Sequence, residues 1–289
     1  MYTKRKSSLP RIKAREILTG LNIKRPSEIE VEEIAWIRKA LVREAPLEGA
    51  EGRLVRSKTW GIITVKADIR EPGKKRFVAT HELGHFELHK DSDQLTLCSD
   101  KDLLYWYKNI RPEEREANEF AAELLMPQDL FQPRCQSDQP NLAVIGALAD
   151  EFRTSLTATA LRYIEFCPHR CAIVVSENKT IKWYQATEDF GYHLAVGTRL
   201  HSHSIAIDFF NGKEIPTTMQ TVFATSWLSG EKFRSNSVIQ EHSVSLPSYN
   251  AVLTLLWIDE DIDDFFGDEE EEPEYDPDYF TPNSKRWRW

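Results

Sequence analysis

The chain has 289 residues, of which 41% are hydrophobic and 11% aromatic, a balance typical of a globular protein with a sizeable core. Its net charge of −9 is concentrated at one end, because residues 259–278 hold 13 acidic side chains. With the three basic residues Lys285, Arg286 and Arg288, residues 259–289 carry a net charge of −10, so residues 1–258 carry about +1. A body so close to neutral excludes the strongly basic class of nucleic-acid-binding proteins, and direct DNA binding is not expected.

The sequence features that report on cellular location are hydrophobic segments, the N-terminus and the cysteines. No apolar run approaches the roughly 20 residues of a membrane helix, and no apolar segment follows the basic N-terminus as it would in a secretory signal. Four cysteines in a chain of this length do not form a disulfide framework. We therefore expect a cytoplasmic protein that has free thiols and no membrane partner.

The N-terminal quarter predicts helices followed by short strands. Apolar spacing indicates helices at 10–21 and 28–41. Strands are predicted at 40–45, 52–56 and 61–67, of which the last is the most β-branched. Gly49 and Gly52 are interpreted as turn residues, and Pro72-Gly73 as the end of the strand region.

The next predicted helix, 76–90, contains His81-Glu82-Leu83-Gly84-His85, an H-E-x-x-H sequence. Residues four apart lie on one helical face, so His81 and His85 can converge on one tetrahedral Zn²⁺. Glu82 is then placed beside the metal as the general base, since zinc lowers the pKa of its water toward about 7. This spacing predicts the catalytic site of a zinc hydrolase.

Two further residues of this helix carry expectations. His89 shares the face of the two ligands, but eight residues of helix rise about 12 Å, too far for it to share one ion with His81. His89 is therefore interpreted as a packing or supporting residue. Gly84 lies inside the helix at a cost of about 1 kcal/mol, which predicts close approach by another element.

The third protein ligand of a catalytic zinc is expected from the helix predicted between Pro112 and Met126. Its apolar stripe leaves two carboxylates beside the buried side, Glu113 and Glu114, and periodicity does not choose between them. Asn118, one turn after Glu114, can orient that carboxylate and favours it. The three other glutamates are predicted to face solvent: Glu116, Glu119 and Glu123.

The rest of the chain changes from helix to strand near residue 168. A polar loop is expected at 91–99 and an aromatic segment at 103–107, where Tyr105 and Tyr107 are interpreted as packing residues. Helices are predicted at 142–152 and 155–166. The expected strands then follow at 171–176, 181–185, 204–210, 218–225 and 252–258.

Weaker signals receive plain interpretations. The segment from Cys167 to Cys171 lacks a second pair at zinc-site spacing and is interpreted as a turn between a helix and a strand. His201 and His203 alternate with serines and are expected to be solvated on one face of a strand. The acidic tail, 261–289, cannot bury a core and is predicted to be disordered.

The chain resembles the ImmA/IrrE family of metallo-endopeptidases in two sequence motifs, which lie at residues 76–89 and 114–127. The resemblance implies an α+β fold with a thermolysin-like zinc peptidase core, in which a small sheet packs on the active-site helices. It also implies that His81 and His85 are metal ligands, Glu82 the base and Glu114 the third ligand. Zinc is the expected ion, and Mn²⁺ can occupy the same ligands.

The resemblance extends to organisation and function. It implies cleavage of a helix-turn-helix repressor, which switches on stress or mobile-element genes. The alternative is a non-catalytic DNA- or protein-binding regulator with a vestigial or structural metal site.

Family sequences often have Gly where Arg153 stands, at the joint between the helices predicted at 142–152 and 155–166. An arginine is disfavoured in the left-handed backbone of such a joint. The expected parts are a peptidase core at 1–130, a helix-turn-helix-like pair at 131–168, a β-rich, GAF-like sensory domain at 169–260 and the tail at 261–289.

Overall fold

The computed structural model describes residues 8–57, 59–89, 96–98, 111–228 and 236–259. Within them the fold is a mixture of helices and sheets, which confirms the predicted α+β class. No helix in these ranges combines the length and the apolar character needed to cross a membrane. The predictions for the aromatic segment 103–107, with its two tyrosines, and for the tail 261–289 lie outside the described residues.

The N-terminal part begins with helices α1 (Leu9–Gly20) and α2 (Val31–Ile37). The predicted helix 28–41 was too long, because Lys39 has a left-handed backbone with φ of 68° and the chain enters a strand immediately afterwards. The first three strands lie where they were predicted: β1 (Ala40–Ala45), β2 (Gly52–Arg56) and β3 (Gly61–Lys66).

Helix α3 (Pro72–Leu88) carries the H-E-x-x-H sequence and packs against β2 and β3. Pro72 and Gly73 were predicted to close the strand region, but they form the first turn of α3, where proline lacks only an amide that has no helical partner. The predicted loop 91–99 contains a short strand, β4 (Thr96–Cys98), which pairs with β2. Within the described residues the sheet order is β1-β3-β2-β4, with β1 parallel to β3 and the other pairs antiparallel.

Helix α4 (Pro112–Leu125) lies between α1 and α3 and packs against both. It is followed by α5 (Gln128–Phe131), α6 (Leu142–Phe152) and α7 (Leu156–Phe166), the last two within a residue of their predicted bounds. The joint between α6 and α7 is left-handed at Arg153, with φ of 55°. Its guanidinium bonds the Glu30 carboxylate at 2.9 Å and the Ile29 carbonyl at 2.8 Å, contacts that offset the unfavourable backbone.

The C-terminal part is an antiparallel sheet with the order β6-β5-β9-β8-β7 in the described residues. Three of its strands follow the predictions: β5 (Arg170–Glu177), β6 (Thr180–Ala186) and β9 (Ala251–Ile258). Strand β7 (Gln220–Phe223) is shorter than its predicted run, and β8 (Val238–Leu246) was missed. The predicted strand 204–210 was wrong, because its end forms a short helix, α8 (Ala206–Phe210).

Glu241 on β8 stabilises the start of helix α8, which explains why residues 206–210 are helical. Its carboxylate is fully buried and accepts hydrogen bonds from the backbone amides of Ile205 and Ala206, at 3.0 and 2.8 Å, and from Trp227 Nε1 at 2.7 Å. Amides at the start of a helix have no helical partner, so a carboxylate there stabilises the helix. Since Glu241 lies more than 30 residues away in sequence, the local pattern at 204–210 carries no trace of it.

A buried ionic network corrects the prediction that Glu123 faces solvent. Its carboxylate is fully buried and pairs with Arg162 of α7 at 2.5 Å and with Arg15 of α1 at 2.7 Å. Arg162 is 1% exposed and also bonds the Met126 carbonyl and Glu165. Helix α4 is therefore covered on more than one side, and a single apolar stripe did not describe it.

His242 of β8 joins the C-terminal sheet to α6. The ring is 3% exposed, and its Nδ1 accepts a hydrogen bond from the Leu142 amide, in the first turn of α6, at 3.1 Å. Burial lowers the pKa of His242, while a hydrogen bond to the Thr217 backbone opposes that shift. A neutral imidazole is therefore required at this junction.

We expect the stability contributed by His242 to be present above its unfolded pKa of about 6.5 and to be lost as the pH falls through the lower folded pKa. Thermal unfolding midpoints between pH 7.5 and 5 should therefore decrease more steeply for the native chain than for His242→Asn. The asparagine can accept the Leu142 bond without titrating. Parallel curves for the two proteins would contradict this linkage.

Candidate metal centre

Helices α3 and α4 approach each other closely at Gly84. A Cβ added there would lie 3.1 Å from Phe120 Cδ1 and 3.2 Å from Ala117 Cα. This confirms the expectation that another element comes close to Gly84. It also explains how side chains from the two helices converge, because the backbones meet without a side chain between them.

Three buried side chains converge at this crossing. His81 Nε2 lies 3.0 Å from His85 Nε2 and 3.1 Å from Glu114 Oε2, and His85 Nε2 lies 3.4 Å from the same oxygen. Tetrahedral zinc with bonds of about 2.0–2.1 Å places its ligand atoms roughly 3.3 Å apart. The donor atoms therefore have the types and separations that one transition-metal ion requires, and together they could hold one.

The structure separates the two glutamates that periodicity left open. Glu113 is exposed, whereas Glu114 is 1% exposed and faces the imidazoles. Burial raises the pKa of Glu114, but hydrogen bonds from His81 and His85 outweigh that effect and hold it well below its usual range. Arg111 adds a contact to the other carboxylate oxygen at 2.8 Å. Glu114 is thus a carboxylate, the form in which a metal binds it.

Asn118 was expected to orient Glu114, and the structure corrects this. Its side-chain oxygen lies 2.8 Å from His81 Nδ1. An amide oxygen only accepts, so His81 Nδ1 carries the proton and donates it. Binding of a metal would release the proton through which Nε2 bonds Glu114. The Nε2 lone pair would then be directed at the ion, as in metal sites where a second residue fixes the histidine tautomer.

His89 contacts His85 in the way that Asn118 contacts His81. His89 Nδ1 lies 3.0 Å from His85 Nδ1, and His89 Nε2 lies 3.0 Å from Glu116 Oε2. A consistent proton assignment has His85 Nδ1–H donating to His89, and His89 Nε2–H donating to Glu116. His89 therefore contacts a candidate ligand rather than the metal position. Glu116, predicted to be solvated, is half-buried in this chain.

Substituting His89 by alanine is expected to weaken zinc binding by about 10–100-fold, because His85 loses the acceptor that fixes its tautomer and ring orientation. Competition with a chromophoric zinc chelator measures the affinity. His203→Ala is the matched control, since His203 is exposed and in a loop. Equal affinities for the two variants would show that His89 does not support the site.

Glu82 is the fourth element of the site. It is fully buried, and neither of its carboxylate oxygens has a hydrogen-bond partner among the described residues. Desolvation, helped by the charge of Glu114, raises the pKa of Glu82 well above its ordinary value. A buried carboxylate without partners is costly in a folded protein, and such groups are typical of functional sites.

Gly52, interpreted from sequence as a turn residue, lies in strand β2 directly against Glu82. A Cβ built on Gly52 would lie 2.5 Å from Glu82 Oε1 and 2.7 Å from Val78 Cγ1. Only glycine therefore leaves room for the carboxylate at this place. Sequence reasoning missed this residue; the one available signal was a glycine at the start of a predicted strand.

We expect Gly52→Ala to destabilise the protein by about 1–3 kcal/mol, since the added methyl forces Glu82 or β2 to move. Denaturant unfolding measures the loss. Gly146→Ala in α6 is the control, because nothing lies within 4 Å of a Cβ there and alanine favours the helix. If both variants were equally stable, the tight contact with Glu82 would be absent in solution.

Other residues noted in the sequence lie outside this centre. His201 and His203 are exposed in a loop rather than on a strand, with ring centroids 5.0 Å apart. Residues 167–169 connect α7 to β5, as predicted, and Cys171 already lies in the strand. Cys135, Cys167 and Cys171 are free thiols, also as predicted.

Comparisons with known proteins agree with this geometry. The family model of the IrrE N-terminal-like domain, Peptidase_M78, matches residues 38–163, a range that contains both histidines and Glu114. A solved structure described as a Mycobacterium tuberculosis transcriptional regulator has a similar fold, with a TM-score of 0.54 and 14% sequence identity. The match covers 86% of this chain and 75% of that one. No curated protein sequence matches the chain.

Proposed function

We propose that this chain, whose residues 38–163 belong to the IrrE N-terminal-like peptidase family, is a zinc-dependent endopeptidase that hydrolyses a peptide bond in a protein regulator. The observation that carries the proposal is the convergence of His81, His85 and Glu114 beside a buried, unpartnered Glu82. Three ligands from two helices leave a coordination position for substrate or water.

His81, His85 and Glu114 would hold the ion, and their two imidazoles and one carboxylate are a ligand set that zinc prefers. Mn²⁺ fits the same donors less well, because it favours oxygen ligands. When bound, the metal polarises the substrate carbonyl and acidifies the attacking water. We also infer that α3, α4 and the first sheet form a thermolysin-like core, since the sheet packs on the helix that carries both histidines.

Within that core, Glu82 is the proton carrier. Its carboxylate removes a proton from the attacking water and delivers it to the nitrogen of the leaving amine. Burial suits Glu82 for both steps, because it moves the pKa of the carboxyl group toward neutral pH. A carboxylate with a higher pKa is a stronger base, and near its pKa it both accepts and releases a proton readily. Asn118 and His89 hold the two imidazoles in the tautomer that leaves each Nε2 free to bind the metal.

The proposed substrate is a helix-turn-helix repressor, whose cleavage would derepress stress or mobile-element genes. The family resemblance supports this substrate class, and the similar fold of a structure described as a transcriptional regulator is compatible with a role in regulation. The alternative, a non-catalytic regulator that binds DNA through 142–166, gains no support. Residues 159–164 of α7 are all buried, so that helix has little surface for a groove.

We further propose that the parts are a peptidase core at 1–130, a helical pair at 131–168, a GAF-like sensory domain at 169–260 and a tail at 261–289. One face of the second sheet supports a C-terminal domain, because it has a hydrophobic cluster of its own, whereas the other face packs into the cluster of the N-terminal part. The C-terminal cluster includes Val174, Phe190, Leu194, Trp227 and Leu256.

The direct test is to incubate the zinc-loaded protein with purified repressor encoded beside its gene and to identify the products by mass spectrometry. We expect one cut at a defined bond, loss of cutting with a chelator, and recovery when zinc is restored. An intact repressor under zinc-replete conditions, with metal bound to the enzyme, would reject this substrate. Failure to bind any metal would reject the peptidase itself.

A further inference from the structure

An apolar surface lies on the outer face of the first sheet, opposite α3. Twelve large hydrophobic side chains are exposed in the described residues, and half of them are here. We call this set the outer sheet surface: Trp36, Ile37, Leu41, Val55, Trp60 and Ile62. Clustered exposure on this scale marks an interaction site, whereas scattered exposed residues are ordinary.

Strand register makes the surface continuous. Ile62 on the central strand β3 lies opposite Leu41 on one side and Val55 on the other, so the three side chains form one row across the sheet. Trp60 alternates onto the same face as Ile62. Its ring lies 5.1 Å from that of Trp36, which extends the surface to the end of α2.

The same face is positively charged. In the next row, Arg43 and Arg53 lie on either side of Thr64, and Arg43 Nε bonds the Thr64 hydroxyl at 3.2 Å. Arg53 is half-buried, and its Nε is buried without a hydrogen-bond partner among the described residues. By strand alternation the outward positions of β1, β2 and β3 contain three cations and no acid: Leu41, Arg43, Ala45, Arg53, Val55, Ile62, Thr64 and Lys66. The surface is suited to a segment that is both acidic and aromatic.

The chain contains such a segment beyond its last described strand. Residues 260–289 include 12 acidic side chains. Interspersed with them or following them are eight large apolar or aromatic ones: Ile262, Phe265, Phe266, Tyr275, Tyr279, Phe280, Trp287 and Trp289. Thirty extended residues reach roughly 100 Å, enough to cross a domain of this size. Tethering also raises the local concentration of the segment, to the millimolar range for short flexible linkers.

We propose that the outer sheet surface is the docking site for this chain's own C-terminal segment, residues 260–289. Aromatic side chains of the segment cover the row of Leu41, Ile62 and Val55. Its carboxylates pair with Arg43 and Arg53, which gives the contact a dependence on salt. This docking is independent of peptide hydrolysis, since the surface lies on the side of the sheet away from Glu82.

The test uses the full-length protein with a photo-crosslinking phenylalanine analogue in place of Trp60. We expect crosslinks to peptides from 260–289 within the same chain, with a yield that falls several-fold at high salt. The same analogue at Phe223, an exposed aromatic residue of β7, should give few such crosslinks. Mixing light and isotope-labelled protein separates contacts within a chain from contacts between chains.

Two pairs of variants test the chemistry in the Trp60-labelled protein. Ile62→Glu should lower the yield several-fold, whereas Val238→Glu should not, although both positions are 37% exposed on strands. Arg43→Glu should act like Ile62→Glu, with the exposed Arg199→Glu as its control. Circular dichroism establishes that each variant is folded. Absence of tail crosslinks, crosslinks only between chains, or equal yields in each pair would overturn the proposal.

Discussion

Replacement of His81 by alanine is expected to reduce bound zinc from about one ion per chain to near zero and to abolish peptide hydrolysis. His81 supplies one of three protein ligand atoms, and its Nε2 lies within 3.1 Å of both others. With two remaining protein ligands, the site binds zinc too weakly to keep it during dialysis. Elemental analysis after dialysis against metal-free buffer measures the loss.

Two controls distinguish loss of the metal from loss of chemistry. His203→Ala should retain the full complement of zinc, since that ring is exposed in a loop. Glu82→Gln should also retain it, yet lower the cleavage rate by about 10²–10⁴-fold, the usual contribution of a general base. If His81→Ala kept its zinc, or Glu82→Gln cleaved at the native rate, the proposed roles would be wrong.

Substitution of Glu123 by glutamine is expected to destabilise the fold by about 3 kcal/mol, because it removes the buried carboxylate that pairs with both Arg162 and Arg15 and leaves Glu165 as the remaining counterion of the buried Arg162. That is a large share of the 5–15 kcal/mol by which domains are usually stable. Glu119→Gln, one turn earlier and half-buried against Ser8, should cost about 1 kcal/mol or less. Urea unfolding at neutral pH compares the three proteins.

A second variant keeps this expectation testable if Glu123→Gln does not fold. Replacing Glu123 by leucine together with Arg162 by methionine removes both charges, and such exchanges are often neutral or stabilising. The double variant should therefore be more stable than the single one. A single variant within about 1 kcal/mol of the native chain would show that the pair is not buried in solution.

Much of the candidate centre could be predicted from sequence because its determinants are local. The spacing of His81 and His85 within one helix fixes their common face, and Glu114 lies on the helix that the same reasoning identified. The supporting contacts were less accessible. Asn118 was assigned to the wrong partner because its target lies on another helix, and Gly52 belongs to a strand whose register sequence does not give.

The missed strand β8 and the misplaced Glu123 share one physical cause, which is the burial of polar groups by partners distant in sequence. Strand β8 was missed because Glu241, His242 and Ser243 are all buried in it, and they hide the expected alternation. Glu123 was placed in solvent because its cationic partners come from helices more than 35 residues away on either side. Apolar periodicity detects a face that avoids water; it does not detect charges neutralised inside the protein.

The contact at Gly73 has a mechanical consequence. A Cβ there would lie 2.5 Å from the Ser155 nitrogen, so the first turn of α3 rests on the bare backbone of the joint between α6 and α7. No flexible side chain lies between them to absorb a displacement. The part of helix α3 between Gly73 and His81 spans about 12 Å and connects that joint rigidly to the first histidine. A displacement of the joint along the axis of α3 would therefore be transmitted to His81 with little loss.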